Sequence, residues 1–169
     1  YYVAEQLSHH PPHTAAIYYN IQHGIIICSN IAPAYIKFYG NSAQTNFHGL
    51  SKIFVFGPHG QYEEVYEFSL PGALVRGILI GTLVLEIVGK ANMSCPTTGY
   101  HAEMEFKGKK MFRSKMNEVE GKIKHGKQTL YEFEGPWDAV THITNAKTKE
   151  QAVLFDASKH AATPIVVDP

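Results

Sequence analysis

The sequence predicts an all-β fold, an antiparallel meander of short strands, and three observations support this fold class. Runs rich in β-branched and aromatic residues recur along the whole chain. Turn-forming pairs such as His23-Gly24, Gly40-Asn41 and His125-Gly126 close these runs. Stretches of ten or more residues with a helical period are hard to find. Because short turns join antiparallel neighbours, we expect one sheet that turns back by hairpins.

The elements follow in order from the first residue, where a run of β-formers covers Tyr1 to Leu7. Each later strand is a short run of β-formers bounded by a turn cue. The predicted strands are Thr14 to Tyr19, Gly24 to Ser29, Ala34 to Tyr39, Gln44 to Leu50, Lys52 to Phe56, Glu63 to Ser69, Gly81 to Val88, Tyr100 to Phe106, Glu118 to Ile123, Thr129 to Glu134 and Ala152 to Phe155. Pro58-His59-Gly60 is a predicted turn, and Ala161 to Pro169 is a predicted extended tail.

Alternation within single strands predicts a sheet with one apolar face. In the segment Tyr100 to Phe106, the Tyr, Ala, Met and Phe side chains fall on one side, and the His and Glu side chains fall on the other. The segment Ala73 to Val88 is instead apolar on both faces apart from Arg76, Thr82 and Glu86. We expect this strand pair to be covered on both sides, either by the protein core or as a lining that faces a hydrophobic ligand.

Composition indicates one domain, residues 1–169, that is large enough to bury a core. The chain has 169 residues, 44% of them hydrophobic, and 15 Lys plus Arg balance 15 Asp plus Glu. This balance predicts no global steering toward nucleic acid or anionic membranes. Without a leader or a long apolar run, we expect a soluble protein. Cys28 and Cys95 are expected to be reduced, buried thiols, with a single disulfide as the alternative.

The octapeptide Glu5-Gln6-Leu7-Ser8-His9-His10-Pro11-Pro12 is the most informative segment for function. Pro11 disfavours the α region for His10, so the chain leaves the first strand stiff and extended. Neighbouring strand residues point to opposite faces, so His9 and His10 converge on one ligand only if the chain bends between them. Two imidazoles that converge make charge-assisted hydrogen bonds to a phosphate, whose second pKa is about 6.

Three interpretations of the histidine pair are open on chemistry alone. The first is an ordinary surface loop, which is where a polar histidine is usually found. The second is contact with an anion. The third is a metal site that adds His13, although neither CxxC nor HExxH accompanies the histidines.

Six motifs together carry a family resemblance. They are EQLSHHPP at residues 5–12, FYGNS at 38–42, GILIGT at 77–82, CPTTGY at 95–100, VEGKI at 119–123 and GPW at 135–137. EQLSHHPP is similar to the EQxSHHPP motif of the oxysterol-binding-protein-related lipid transfer family, and the other five resemble segments of the same family. The resemblance implies a large, incomplete β-barrel around a lipid tunnel. It also implies that this chain is the central part of the domain, without its lid and its C-terminal part.

The resemblance implies that His9 and His10 bind the 4-phosphate of phosphatidylinositol 4-phosphate. Ser8, Pro11 and Pro12 support them, with Ser8 orienting an imidazole or closing a local turn. The second cargo is phosphatidylserine or a sterol, and FYGNS and CPTTGY resemble the phosphatidylserine-exchanging branch. Ile36, beside Lys37, stands where that branch usually has a serine of the headgroup pocket, and isoleucine donates no hydrogen bond.

The resemblance therefore predicts a lipid-exchange protein that is not an enzyme and needs no cofactor, metal or nucleic acid. We expect it in the cytoplasm, in transient contact with membranes, and at endoplasmic reticulum contact sites. Two alternatives stay open: a metal-dependent hydrolase built on His9, His10 and His13, and a sensor that binds lipid without transferring it. A basic cluster, Lys107, Lys109, Lys110, Arg113 and Lys115, is either a solvated hairpin or a contact to an anionic leaflet.

Overall fold

The computed structural model of the protein describes residues 1–57, 60–109 and 116–160 and confirms the all-β prediction. These residues form one 13-stranded sheet, and every strand pairing in it is antiparallel. The strands are β1 Tyr2–His9, β2 Pro12–Asn20, β3 Ile25–Phe38, β4 Ser42–His48, β5 Ser51–Phe56, β6 Tyr62–Phe68, β7 Gly72–Arg76, β8 Val84–Cys95, β9 Tyr100–Lys107, β10 Glu118–His125, β11 Gln128–Pro136, β12 Val140–Asn145 and β13 Gln151–Asp156. Two single-turn 3-10 helices, Ile21–His23 and Ala157–Lys159, complete the secondary structure of this part of the chain.

Several predicted boundaries differ from the observed strands. The two strands predicted at 24–29 and 34–39 are one continuous strand, β3, whose register shifts between Pro33 and Tyr35. A proline that cannot donate to the ladder is accommodated at such an irregularity, so it does not end the strand. β8 runs past its predicted end at Val88, and β12 was not predicted at all. The predicted turn at Pro58-His59, residues 110–115 of the basic cluster and the predicted tail lie outside the described residues.

The two inner strands of the middle of the sheet are interrupted, so their parts lie end to end. β5 pairs with β3 along Ile25–Cys28, and β4 pairs with β3 farther along the same edge, with Ala32 opposite His48 in the same register. β7 and β6 lie end to end along β8 in the same way. Since β4 pairs with β7 and β5 pairs with β6, the long strands β3 and β8 frame two short pairs. β1 and β2 continue the sheet beyond β3 as one arm, and β9 to β13 continue it beyond β8 as the other.

The arm from β9 to β13 has one largely apolar face and one charged face, as the alternation of Tyr100 to Phe106 predicts. Met104 lies opposite Gly121, and Phe106 lies opposite Val119, so the apolar side chains of β9 and β10 share a face. The other face carries an ion pair of 2.7 Å between Lys124 Nζ and Glu103 Oε2. Exposed ion pairs of this kind add little stability, so the apolar face contributes most of the packing energy of this arm.

Few side chains of the described residues are fully buried, because the sheet is a single layer. The buried apolar residues are Leu74, Val88, Ala91, Cys95 and Val119. The first alternative for Ala73 to Val88, cover by the protein core on both sides, is wrong for the described residues, and the second, a lining that faces a hydrophobic ligand, stays a prediction. Leu74 and Val88 are buried, but Leu83 and Leu85 are exposed because no described element packs on their side of the sheet.

Both cysteines are free thiols. Cys95 is buried, and its Sγ lies 3.2 Å from Thr97 Oγ1. Hydrogen bonds from Thr97 and Thr98 lower the pKa of the Cys95 thiol below its ordinary value. Cys28 is only half-buried, so the expectation that both thiols are buried holds for Cys95 alone.

Neither helix in the described residues is long and apolar enough to span a lipid bilayer.

Candidate functional site

The histidine pair lies at the turn between β1 and β2. The strands pair from Tyr2 opposite Tyr18 to His9 opposite Pro12. The Tyr2 and Tyr18 rings stack with centroids 4.5 Å apart and fix the far end of this hairpin. The register shifts by one residue between Gln6 and Ser8, so the last part of β1 is bulged just before the histidines.

The turn brings the two imidazoles together. The rings of His9 and His10 have centroids 4.3 Å apart and planes inclined at 52°. His9 still belongs to β1, whereas His10 and Pro11 form the turn and are joined by a cis peptide bond. The chain turns directly after His9, which lies opposite Pro12. Both histidines are exposed, so an anion has direct access to them.

His13 is separated from this pair. It lies opposite Ser8 on β2, and its Nε2 is hydrogen bonded to Asn30 Oδ1 on β3. Alternation places Ser8 and His13 on the face opposite to His9. Among the described residues, no three His, Cys, Asp or Glu side chains are grouped closely enough to hold a metal ion. The geometry therefore offers nothing in support of the metal interpretation, while His13 and Asn30 link β2 to β3.

The histidine pair is flanked in the sequence by Ser8, Pro11 and Pro12, which differ in burial and position. Ser8 is half-buried at the bulge, and both prolines are exposed. Pro12 starts β2 opposite His9, a position where its missing N–H costs no interior ladder bond. The two prolines thus restrict the backbone next to the imidazoles and present no hydrogen-bond donor of their own.

Ile36 and Lys37 are consecutive residues of β3 and point to opposite faces of the sheet. The Lys37 ammonium lies 4.9 Å from the centroid of the Tyr35 ring, a cation–π distance. Ile36 is exposed. A shared pocket for a second cargo, built on both residues, stays a prediction.

A charged groove on the arm from β8 to β12 was not predicted. It has a volume of about 770 Å³. Its lining consists mainly of charged side chains from the polar face: Lys90, Asn92, Glu103, Met104, Glu105, Glu120, Gly121, Lys122, Glu132, Phe133, Glu134 and Thr144. Lys124 and Lys122 hold the pKa values of Glu103 and Glu132 below the ordinary value. The alternating charges are visible in the sequence, but the concave shape depends on how five strands curve together.

Comparison with known proteins decides the family. The family model described as oxysterol-binding protein matches residues 1–165. The chain belongs to the oxysterol-binding protein family. Oxysterol-binding protein 10 of Dictyostelium discoideum is 40% identical over 166 residues, which are 97% of this chain and 41% of that protein. Human oxysterol-binding protein-related protein 8 is 39% identical over 158 residues, which are 92% of this chain and 17% of that protein.

Two solved ORD structures share the fold of this chain. The Osh1 ORD domain in complex with cholesterol matches with a TM-score of 0.70 at 23% identity, covering 89% of this chain and 35% of that one. The Osh3 ORD from Saccharomyces cerevisiae in complex with PI(4)P matches with a TM-score of 0.67 at 19% identity, covering 92% and 39%. This chain therefore spans well under half the length of its relatives.

Proposed function

We propose that this chain is the central part of a lipid-transfer domain that exchanges phosphatidylinositol 4-phosphate for phosphatidylserine or a sterol between membranes. The observation that carries the proposal is the pair of exposed imidazoles, 4.3 Å apart, at the β1–β2 turn. Family membership supports it, as do the two relatives solved with cholesterol and with PI(4)P. No covalent chemistry is needed.

In this proposal His9 and His10 donate hydrogen bonds to the 4-phosphate, while Ser8 and the two prolines restrict the turn. Bonds between an imidazolium and a phosphate are charge-assisted and hence stronger than neutral ones. The acyl chains supply most of the affinity, at about 0.8 kcal/mol for each buried methylene. The headgroup contacts therefore mainly set selectivity among lipids. The proposed setting is the cytoplasm, at membrane contact sites that include the endoplasmic reticulum.

The proposal is tested by replacing both imidazoles in the full-length protein, His9→Ala with His10→Ala, and measuring lipid extraction. Liposomes carry labelled phosphatidylinositol 4-phosphate, and the expected result is loss of extraction by about ten-fold or more, because two charge-assisted bonds are removed. His23→Ala is the matched control, since His23 is also exposed in a turn but lies at the other end of β2. Extraction that survives in the double variant contradicts the proposal.

Transfer is distinguished from sensing by a second measurement with the same proteins. Labelled lipid is mixed into donor vesicles, and its arrival in acceptor vesicles is followed over time. A transfer protein is expected to move many lipid molecules per protein molecule into the acceptor vesicles. Stoichiometric extraction without arrival in the acceptor indicates a sensor that holds its lipid.

A further inference from the structure

The β1–β2 turn projects beyond the end of the ladder that joins β2 to β3. The last pair of this ladder is Thr14 opposite Ile31. The first two residues of β2, Pro12 and His13, precede that pair and have no opposite residue on β3 in this register. A hairpin end that is paired only within itself is freer to tilt relative to the sheet than the paired part. The positions of the two imidazoles therefore depend on what holds this end of the hairpin.

One side-chain hydrogen bond reaches from this end of the hairpin to β3. His13 Nε2 donates to Oδ1 of Asn30, and Asn30 lies opposite Ala15 within the ladder. The side chains of His13 and Asn30 share a face, because alternation puts His13 and Ala15 on the same side of β2. The bond thus joins a residue outside the ladder to a residue inside it.

Asn30 is a firm anchor, because β3 is closely packed on its other edge at this point. Near Asn30, β3 changes its partner on that edge from β5 to β4. Gly49, between β4 and β5, has φ of +118°, and a Cβ there would lie 2.0 Å from the Asn30 carbonyl oxygen. The backbone of the β4–β5 turn therefore packs directly against the backbone of Asn30 and limits the movement of β3 there.

The bond acts where the backbone of β1 is irregular. Ser8 lies opposite His13, and the register of β1 shifts between Gln6 and Ser8. A bulge changes the direction of the strand and of the side chains that follow it. His9 directly follows Ser8, so the direction of its imidazole depends on the same part of the hairpin that His13 holds.

We propose that His13 and Asn30 are a positioning pair that holds the β1–β2 turn, with its two imidazoles, in place for phosphate binding. This inference rests on the proposed function and adds two residues outside the headgroup site. His13 does not contact the phosphate itself, since alternation places it on the face opposite to His9. A site that recognises a phosphate by two hydrogen bonds needs its donors held within about 0.5 Å of the productive geometry. Loss of the pair therefore weakens recognition of the phosphate.

The location of the bond argues against a role in stability alone. Asn30 is exposed and His13 is half-buried. A hydrogen bond in contact with water adds little to the free energy of unfolding. Seven opposed pairs, from Thr14 to Asn20, already join β2 to β3. One more link therefore adds little to the pairing of these strands, whereas it is the contact that reaches the turn.

The test measures selectivity for the 4-phosphate in the full-length protein. Vesicles carry labelled phosphatidylinositol 4-phosphate, and phosphatidylinositol with a second label, which lacks that phosphate, competes for extraction. His13→Leu is expected to lower the preference for the phosphorylated lipid by about three- to ten-fold, the effect of one net hydrogen bond. His13→Gln is expected to restore the preference, because a glutamine amide also donates to Asn30. His48→Leu removes another exposed histidine, on the far side of β3 from the hairpin, and is the matched control with normal preference.

A double-mutant cycle links the effect to the pair. Asn30→Ala is expected to lower the preference as much as His13→Leu does, and the two changes together are expected to cause no further loss, because both remove the same bond. Asn30→Ala changes an exposed side chain, so it gives the result alone if His13→Leu fails to fold. Backbone hydrogen exchange within residues 8–13 is expected to be faster in either variant, a readout that needs no lipid.

The inference is overturned if both single variants keep the wild-type preference. An equal loss of extraction of both lipids also overturns it, because that result indicates a purely structural role, and so does a loss that His13→Gln does not restore. The variant His9→Ala with His10→Ala separates this inference from the proposed function. If that variant keeps its preference, the proposed function fails; if it loses the preference while His13→Leu keeps it, only the positioning role fails.

Discussion

At the scale of the residue, a hydrogen bond is the largest cause of the raised pKa of Tyr66. Its hydroxyl donates to Glu64 Oε2 at 2.5 Å along β6. This bond, followed by burial, raises the pKa of Tyr66 to about 12 from its ordinary value of 10.0. The folded state therefore favours the neutral phenol. Its stabilising contribution is fully present below pH 10 and is lost as the pH rises through 12.

Alkaline titration of tyrosine absorbance measures this shift. The difference between the wild-type protein and the Tyr66→Phe variant isolates one phenol, and its midpoint is expected at about 12. Glu64→Gln is the matched variant, because it removes the negative charge that opposes ionisation, and the midpoint of Tyr66 is expected to fall toward 10.0. A wild-type midpoint close to 10 contradicts the assignment.

The histidines near the β1–β2 turn show what the local sequence determines and what it does not. The restriction of His10 follows from local chemistry, since Pro11 disfavours the α region for the residue before it. The tight turn that sets His9 opposite Pro12 depends on the pairing of β1 with β2. The bond from His13 to Asn30 depends on the register between β2 and β3, with Thr14 opposite Ile31. No pattern within β2 encodes that register, so sequence reasoning grouped His13 with the other two histidines as a possible metal ligand.

At the scale of the element, the strands on both sides of β10 leave no room for a side chain at Gly121. A Cβ at Gly121 would lie 2.2 Å from Cζ of Phe133 on β11 and 2.6 Å from the carbonyl oxygen of Glu103 on β9. The Phe133 ring occupies the space above the glycine, an arrangement in which an aromatic residue covers a glycine in the opposite strand. The backbone of β9 cannot move aside without loss of its pairing with β10, and the ring would have to leave its place over the glycine.

Gly121→Ala is therefore expected to destabilise the protein by about 1–3 kcal/mol, the usual cost of overpacking. Denaturant unfolding of the full-length protein gives the change in the free energy of unfolding. Gly126→Asn is the control, because a Cβ at Gly126 meets no atom within 4 Å and asparagine tolerates its φ of +57°. Equal stability of the two variants contradicts the packing account.

Strand β12 was not predicted because its sequence lacks a clear strand pattern. Its residues, Val140–Asn145, alternate weakly between polar and apolar side chains. Thr141 is nevertheless buried, and its Oγ1 donates to the Pro136 carbonyl oxygen at 3.1 Å. A buried threonine satisfied by a backbone acceptor has no hydrophobic pattern, so only its pairing with β11 and β13 identifies the strand.

At the scale of the whole molecule, the described residues form an open sheet with two free edges. β1 and β13 end the strand order, and large apolar side chains are exposed on both arms, including Leu7 and Leu154. Unpaired edges and exposed apolar patches promote association between chains. Alternation in the sequence predicted the class of the fold, but it gave no indication that one face of β7 and β8 is left uncovered.

The 169-residue chain expressed alone is expected to self-associate. Sedimentation velocity over a range of concentrations measures the effect, and the expected result is a mass that rises with concentration. Leu7→Lys with Val153→Lys places a charge on each edge strand and is expected to reduce association, since lysine at an edge opposes strand addition. A single monomeric species at every concentration contradicts this prediction.

The two interrupted strands divide the middle of the sheet into two short pairs, β4 with β7 and β5 with β6. Both pairs lie between the long strands β3 and β8. Local opening of one pair therefore leaves β3 and β8 joined through the other pair. The two halves of the middle can lose their hydrogen bonds one at a time while the order of the outer strands is kept.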